Sequence, residues 1–82
     1  MSVEALGAAL AEVGESLREG YQLLRVAQQR LAEAGGVLVE LGANHSESLV
    51  PPQLHAANDV LGAALNQLAA SMAATERFAA AL

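Results

Sequence analysis

The chain has 82 residues and a mass of 8.4 kDa, room for one domain near the lower size at which a single core holds a fold. Four arginines, no lysine and nine acidic residues leave a net charge of −5, which opposes a phosphate backbone or an anionic membrane as partner. Absence of cysteine removes disulfides and thiolate metal sites, and a hydrophobic fraction of 54% with one Tyr, one Phe and no Trp means Ala, Leu and Val, residues of close-packed helices.

The opening MSVEALGAAL carries Glu4 and no basic segment, so it does not read as a secretory leader, and a cytoplasmic location is expected. Every apolar run is broken by Glu, Arg, Gln or Gly before the roughly 18 residues a membrane span needs.

From Val3, leucine recurs at Leu10, Leu17, Leu24, Leu31 and Leu38, a seven-residue repeat. With these as the a positions of a heptad, the d positions are Leu6, Val13, Gly20, Ala27, Ala34 and Leu41, which predicts one helix over about 2–43 with a stripe large at a and mostly small at d. Its charges fall at b, c and f, the solvated outer rows, and only Arg30 stands at g. Gly7, Gly14, Gly35 and Gly42 share the e row; each costs about 1 kcal/mol of helix propensity, offset where a second helix approaches closely. Gly35-Gly36 is the expected fault, a place for a kink or an early end.

The segment ANHSESLVPP follows, then the repeat resumes with Leu54, Leu61 and Leu68 in one row and Leu65 and Met72 in the other. Pro52 suits a first helical position, where its missing N–H has no intrahelical partner, and Pro51 is pushed toward extended backbone. The expectation is a single all-α domain over 1–82: an antiparallel hairpin with a turn over about 44–51 and a second helix over about 52–81, dimerising into a four-helix bundle. Asn58 shares a row with Leu65 and Met72. It either fixes register there or sits at the frayed end of the seam, where water satisfies it, and the second reading is preferred.

The second helix has only Asp59, Glu76 and Arg77 as charges, a sign of contact on a second side. A first helix of about 60 Å outreaches a second of about 45 Å. The overhang is expected at the N-terminus, leaving Val3, Leu6 and Leu10 without intrachain cover. Candidate interaction residues are therefore Val3, Leu6 and Leu10, with Leu17 and Leu24 along the seam and Leu61, Leu65, Leu68 and Met72 on the second helix.

His45, Ser46, Glu47, Ser48 and His55 include the residue types of a catalytic triad, but a turn supplies neither rigid mutual geometry nor an oxyanion hole. No catalytic residue is assigned. His55 and Asp59, four apart on a helix, make two metal ligands where dedicated sites use three or four. No metal site and no cofactor is assigned, and no phosphate loop or basic DNA-binding region is present.

In length, in its two Ala- and Leu-rich helices and in its polar turn, the chain resembles the WXG100 or ESX-type small helical-hairpin proteins of actinobacterial type. The Trp-Xaa-Gly turn is replaced by ANHSESLVPP and the tail reads TERFAAAL, without a Tyr-x-x-x-Asp/Glu signal, so no functional residue is carried over. The resemblance implies a small secretion-system-like partner protein, with export by a specialised system as the alternative location. The leading reading is a non-enzymatic interaction or assembly module, pairing with itself or with a related helical chain and with no nucleic acid. Alternatives are a phasin-like amphipathic coat on lipid or storage polymer, and an acidic antitoxin-like inhibitor.

Overall fold

The computed structural model describes Met1–Leu82 and consists of two helices, α1 over Val3–Leu41 and α2 over Pro52–Ala80, with no strand. They pack side by side as an antiparallel hairpin with Cα extents of 64 × 15 × 14 Å. The ends are those the sequence dictates. Ser2 is extended and its Oγ accepts a 3.0 Å hydrogen bond from the Ala5 N–H, while Glu4 in the first turn meets the positive end of the dipole. Pro51 is extended at φ −65°, ψ 140°, Pro52 opens α2, and Arg77 lies in its last turn.

Gly42 ends α1 in right-handed backbone at φ −85°, its N–H bonded to the Leu38 carbonyl at 2.9 Å. Glycine is needed here for space rather than for conformation. A Cβ would sit 3.1 Å from the Leu38 oxygen and 3.2 Å from Leu49 Cγ, because Leu49 folds back over the helix end. The turn is tied by the His45 N–H to the Gly42 carbonyl at 3.0 Å and by the Val50 N–H to Ser48 Oγ at 3.2 Å.

The expected fault at Gly35-Gly36 is not realised: α1 runs through it unbroken. Gly35 lies in the seam, where a Cβ would be at an ordinary 3.6 Å from Leu54 Cδ2, and Gly36 faces open space. Tertiary packing overrides the propensity deficit at the first glycine. At the second the deficit stands alone, so Gly36→Ala is expected to add about 1 kcal/mol of stability, a rise in Tm of about 4–8 °C by circular dichroism.

The seam on α1 differs from the expected a/d stripe. The half-buried residues fill the a and e rows from Gly7 to Gly42, namely Gly7, Leu10, Gly14, Leu17, Tyr21, Leu24, Gln28, Leu31, Gly35, Leu38 and Gly42, with only Leu6, Ala9, Gly20 and Ala27 outside them. Half of the d row turns outward: Val13 is 47% and Leu41 63% exposed, and Ala34 is exposed, while Leu6, Gly20 and Ala27 stay half-buried at the seam's edge. The glycines explain the rotation. Four of the six e positions carry no side chain, so α2 settles over that row instead of over the bulkier Val13 and Leu41. On α2 the seam is as expected, with Leu54, Leu61 and Leu68 in one row and Asn58, Leu65 and Met72 in the other.

The overhang is shorter than expected. Thr75 and Ala79 of α2 line a cleft with Gly7 and Leu10, so the second helix reaches back at least to that turn. Val3 alone among the three end residues is largely solvated, at 62% exposure. Across the molecule only Leu65, at 6% exposure, is buried.

Candidate interaction surface

Because a and e form the seam of α1, its d and g rows lie to one side of the hairpin and its b and f rows to the other. On α2 the corresponding sides are the rows of Ala57 and Val60, and the rows of His55 and Asp59. Which sides share a face is settled by the cleft of about 330 Å³ between the helices. It joins Ala11, Glu15 and Arg18, from the b and f rows of α1, to Glu76, in the row of His55. One broad face of the hairpin is therefore polar, and the d and g rows of α1 share the opposite face with the rows of Ala57 and Val60.

That opposite face is apolar along its length. It carries Leu6, Val13, Leu23, Val37 and Leu41 from α1 and Val60 and Phe78 from α2, the remaining positions being Ala, Gly, Ser, Arg30 and two Gln. Leu23 is 71% and Val60 67% exposed. Its one formal charge is Arg30; the other charged side chains of the helices sit on the polar face or along the outer edges. Soluble chains seldom leave a contiguous apolar patch of this extent to water.

The polar face has little that organises a ligand. Its ion pair, Arg18 to Glu15 at 2.6 Å, joins neighbouring turns of one helix and is about half exposed, worth about 0–1 kcal/mol. The cleft exists because Gly7 and Gly14 have open space above them, where a larger e residue would fill the gap. His45, Ser46, Glu47, Ser48 and His55 are all exposed, and Ser48 Oγ is engaged by the Val50 N–H. No three His, Asp or Glu side chains come close enough to share a metal ion.

Of the residues singled out from sequence, Leu10, Leu17, Leu24, Leu61, Leu68 and Met72 are half-buried and Leu65 is buried in the intrachain seam, Leu6 flanks it, and Val3 stands at the exposed end. Leu23, Val37, Val60 and Phe78 were not singled out, although the g row of α1, with Arg30 as its only charge, is the signal that finds the first two. Asn58 departs from the preferred reading. Its Oδ1 is shut off from solvent without a donor in reach, in the second turn of α2 rather than at a frayed end, and a buried acceptor of this kind costs about 1–3 kcal/mol.

Neither helix is long and apolar enough to cross a membrane. Comparison with known protein families, with curated proteins and with solved structures finds no match to this chain.

Proposed function

We propose that this protein is a non-enzymatic interaction module that assembles with a helical partner through its apolar face. The observation that carries the reading is the full-length apolar face itself, on a hairpin that buries a single residue. The exposed area makes the same point. The hairpin exposes 6061 Å², whereas a compact chain of its mass would expose about 4,600 Å². The surplus is surface that a partner can cover.

A coat on lipid is the runner-up, since a hairpin with one apolar and one polar face fits an apolar boundary. Its charge disfavours that use. Interfacial helices gain from Lys and Arg on the polar face, and here the acidic residues outnumber four arginines.

The test is site-specific photo-crosslinking in the native cell with the probe at Leu23 or Val60, compared with Gln22 or Gln29 on the polar side of α1. Protein adducts are expected from the first pair and not from the second. Equal labelling from both, or flotation of the chain with neutral phosphatidylcholine vesicles and no protein adduct, overturns the reading.

A further inference from the structure

We infer that the occupant of the apolar face is a second copy of this chain, docked with the turns of the two hairpins at opposite ends, so that α1 lies on α1 and α2 on α2 about a two-fold axis at the level of Leu23 and Gln67. The inference rests on the interaction-module reading and adds to it the partner and its orientation.

Area is the first support. Two separate hairpins each expose 6061 Å², while a compact assembly of twice the mass would expose about 7,600 Å². The difference, about 4,500 Å², is the ceiling for such a pair, since a stack as long as the 64 Å hairpin stays less compact than that reference, and obligate homodimer interfaces begin at about 2,000 Å². A pair of hairpins stacked on their apolar faces also draws the half-buried a-row leucines into the centre of a four-helix bundle, since the a and d rows both border that centre.

Self-complementarity is the second. An isologous interface must match its own sequence read backwards, and the d and g rows do so about one axis. Val13 meets the partner's Ala34, Gly20 meets the partner's Ala27, and Leu23 meets the partner's Leu23. The level of that axis on α2 follows from the intrachain seam, where Gly35 packs against Leu54, and it sets Phe78 against the partner's Ala57 and Val60 against the partner's Ala74. One axis thus sets Val13, Val60 and Phe78 each on an alanine, with leucine on leucine at the axis and where Leu6 meets the partner's Leu41.

Charge fixes the orientation. In this arrangement Arg30 stands across from the partner's Ser16, between the partner's Glu12 and the partner's Glu19, each one helical turn away along the outer edge. With the turns at the same end, α1 would lie on the partner's α2, and Arg30 would face the partner's Val60 flanked by the partner's Ala56 and Ala63, with no carboxylate on those rows. Besides Glu33 on its own helix, Arg30 gains acidic neighbours from the partner only in the opposed arrangement, and does so twice by symmetry.

The chain has no cysteine, so disulfide mapping is clean. Leu23→Cys is expected to oxidise to a covalent dimer, Ser16→Cys to cross-link only when mixed with Arg30→Cys, and Gln22→Cys, on the polar face, to stay uncoupled. Arg30→Glu is expected to raise the dimer Kd by about tenfold or more, through like-charge contact with two carboxylates. Adding Glu12→Arg and Glu19→Arg to it is expected to restore the dimer, with unchanged helicity in all variants. Dimers that fail to couple through Leu23→Cys, or an Arg30→Glu variant of wild-type Kd, overturn the arrangement. A monomer by native mass spectrometry at about 100 µM, well above the Kd of a specific interface, overturns the second copy as occupant; adducts from the Leu23 photo-probe would then show that the interaction reading itself survives with another chain.

Discussion

Leu65→Ala is expected to abolish the cooperative thermal transition of this protein. Leu65 is the one side chain withdrawn from water, and truncating a buried leucine costs about 2–5 kcal/mol through lost transfer energy and the cavity left behind. A chain of this size has only about 3–5 kcal/mol of core stabilisation to lose. The loss falls on α2 midway along the hairpin, where Leu61 and Leu68 on the adjoining turns are only half-buried and cannot close over the gap. Far-ultraviolet circular dichroism on heating checks it: the wild type shows a sigmoidal melt, the variant a shallow loss of helix. Leu68→Ala is the comparison, expected to lower Tm and keep the sigmoid. A Leu65→Ala melt as steep as the wild type's would mean that the core is not centred where the structure has it.

The second large effect concerns assembly. Val13→Glu with Val60→Glu places one carboxylate on each helix of the apolar face without touching the seam between α1 and α2, as both residues are more than 45% exposed. If burial of that face completes the core, the wild-type Tm rises with protein concentration, by mass action on the associated state. The double variant is expected to lose that dependence, to scatter light as a single chain and to melt at lower temperature than the wild type at every concentration. Asp59→Asn with Glu76→Gln, both on the polar face, is expected to leave mass and melt unchanged. A double variant with wild-type mass and melt removes the apolar face from any role in assembly.

The architecture was legible because its determinants are local. Leucine every seventh residue, Ser2 before an acidic first turn, and a Pro51-Pro52 pair each act within a turn or two of chain, and the helix bounds at Val3, Leu41, Pro52 and Ala80 follow from them. What failed concerns the rotation of one helix against the other. The a and d rows are the more hydrophobic pair on α1, and hydrophobicity alone aims them at α2. Glycine at positions 7, 14, 35 and 42 reverses that choice, because a helix approaches a row without side chains more closely, and the advantage is visible only when both surfaces are in hand. The same rotation frees Val13, Ala34 and Leu41 of the d row and, with them, the face where Leu23 and Val60 stand. Asn58 eluded the preferred reading for a related reason: the seam closes over its second turn, so an end-of-helix position is not the same as a wet one. Sequence reasoning found the leucines that bind the hairpin to itself more readily than the valines that remain available to others.

The two ends of the hairpin are not closed to the same degree. At the turn, a Cβ on Gly42 would meet Leu49 and one on Gly35 would meet Leu54 at contact distance; at the free end, a Cβ on Gly7 or Gly14 would find open space. Between these limits α2 carries Ser71 and Thr75, whose hydroxyls donate to the carbonyls one turn back at 2.9 and 2.8 Å, a pattern that eases helix bending. The molecule is in effect a pair of tongs, pivoted at Leu49 and slack at the tips. Local opening is expected to begin at the termini and to travel toward the pivot. In an assembly with opposed turns, each slack tip would be gripped by the firm end of its neighbour.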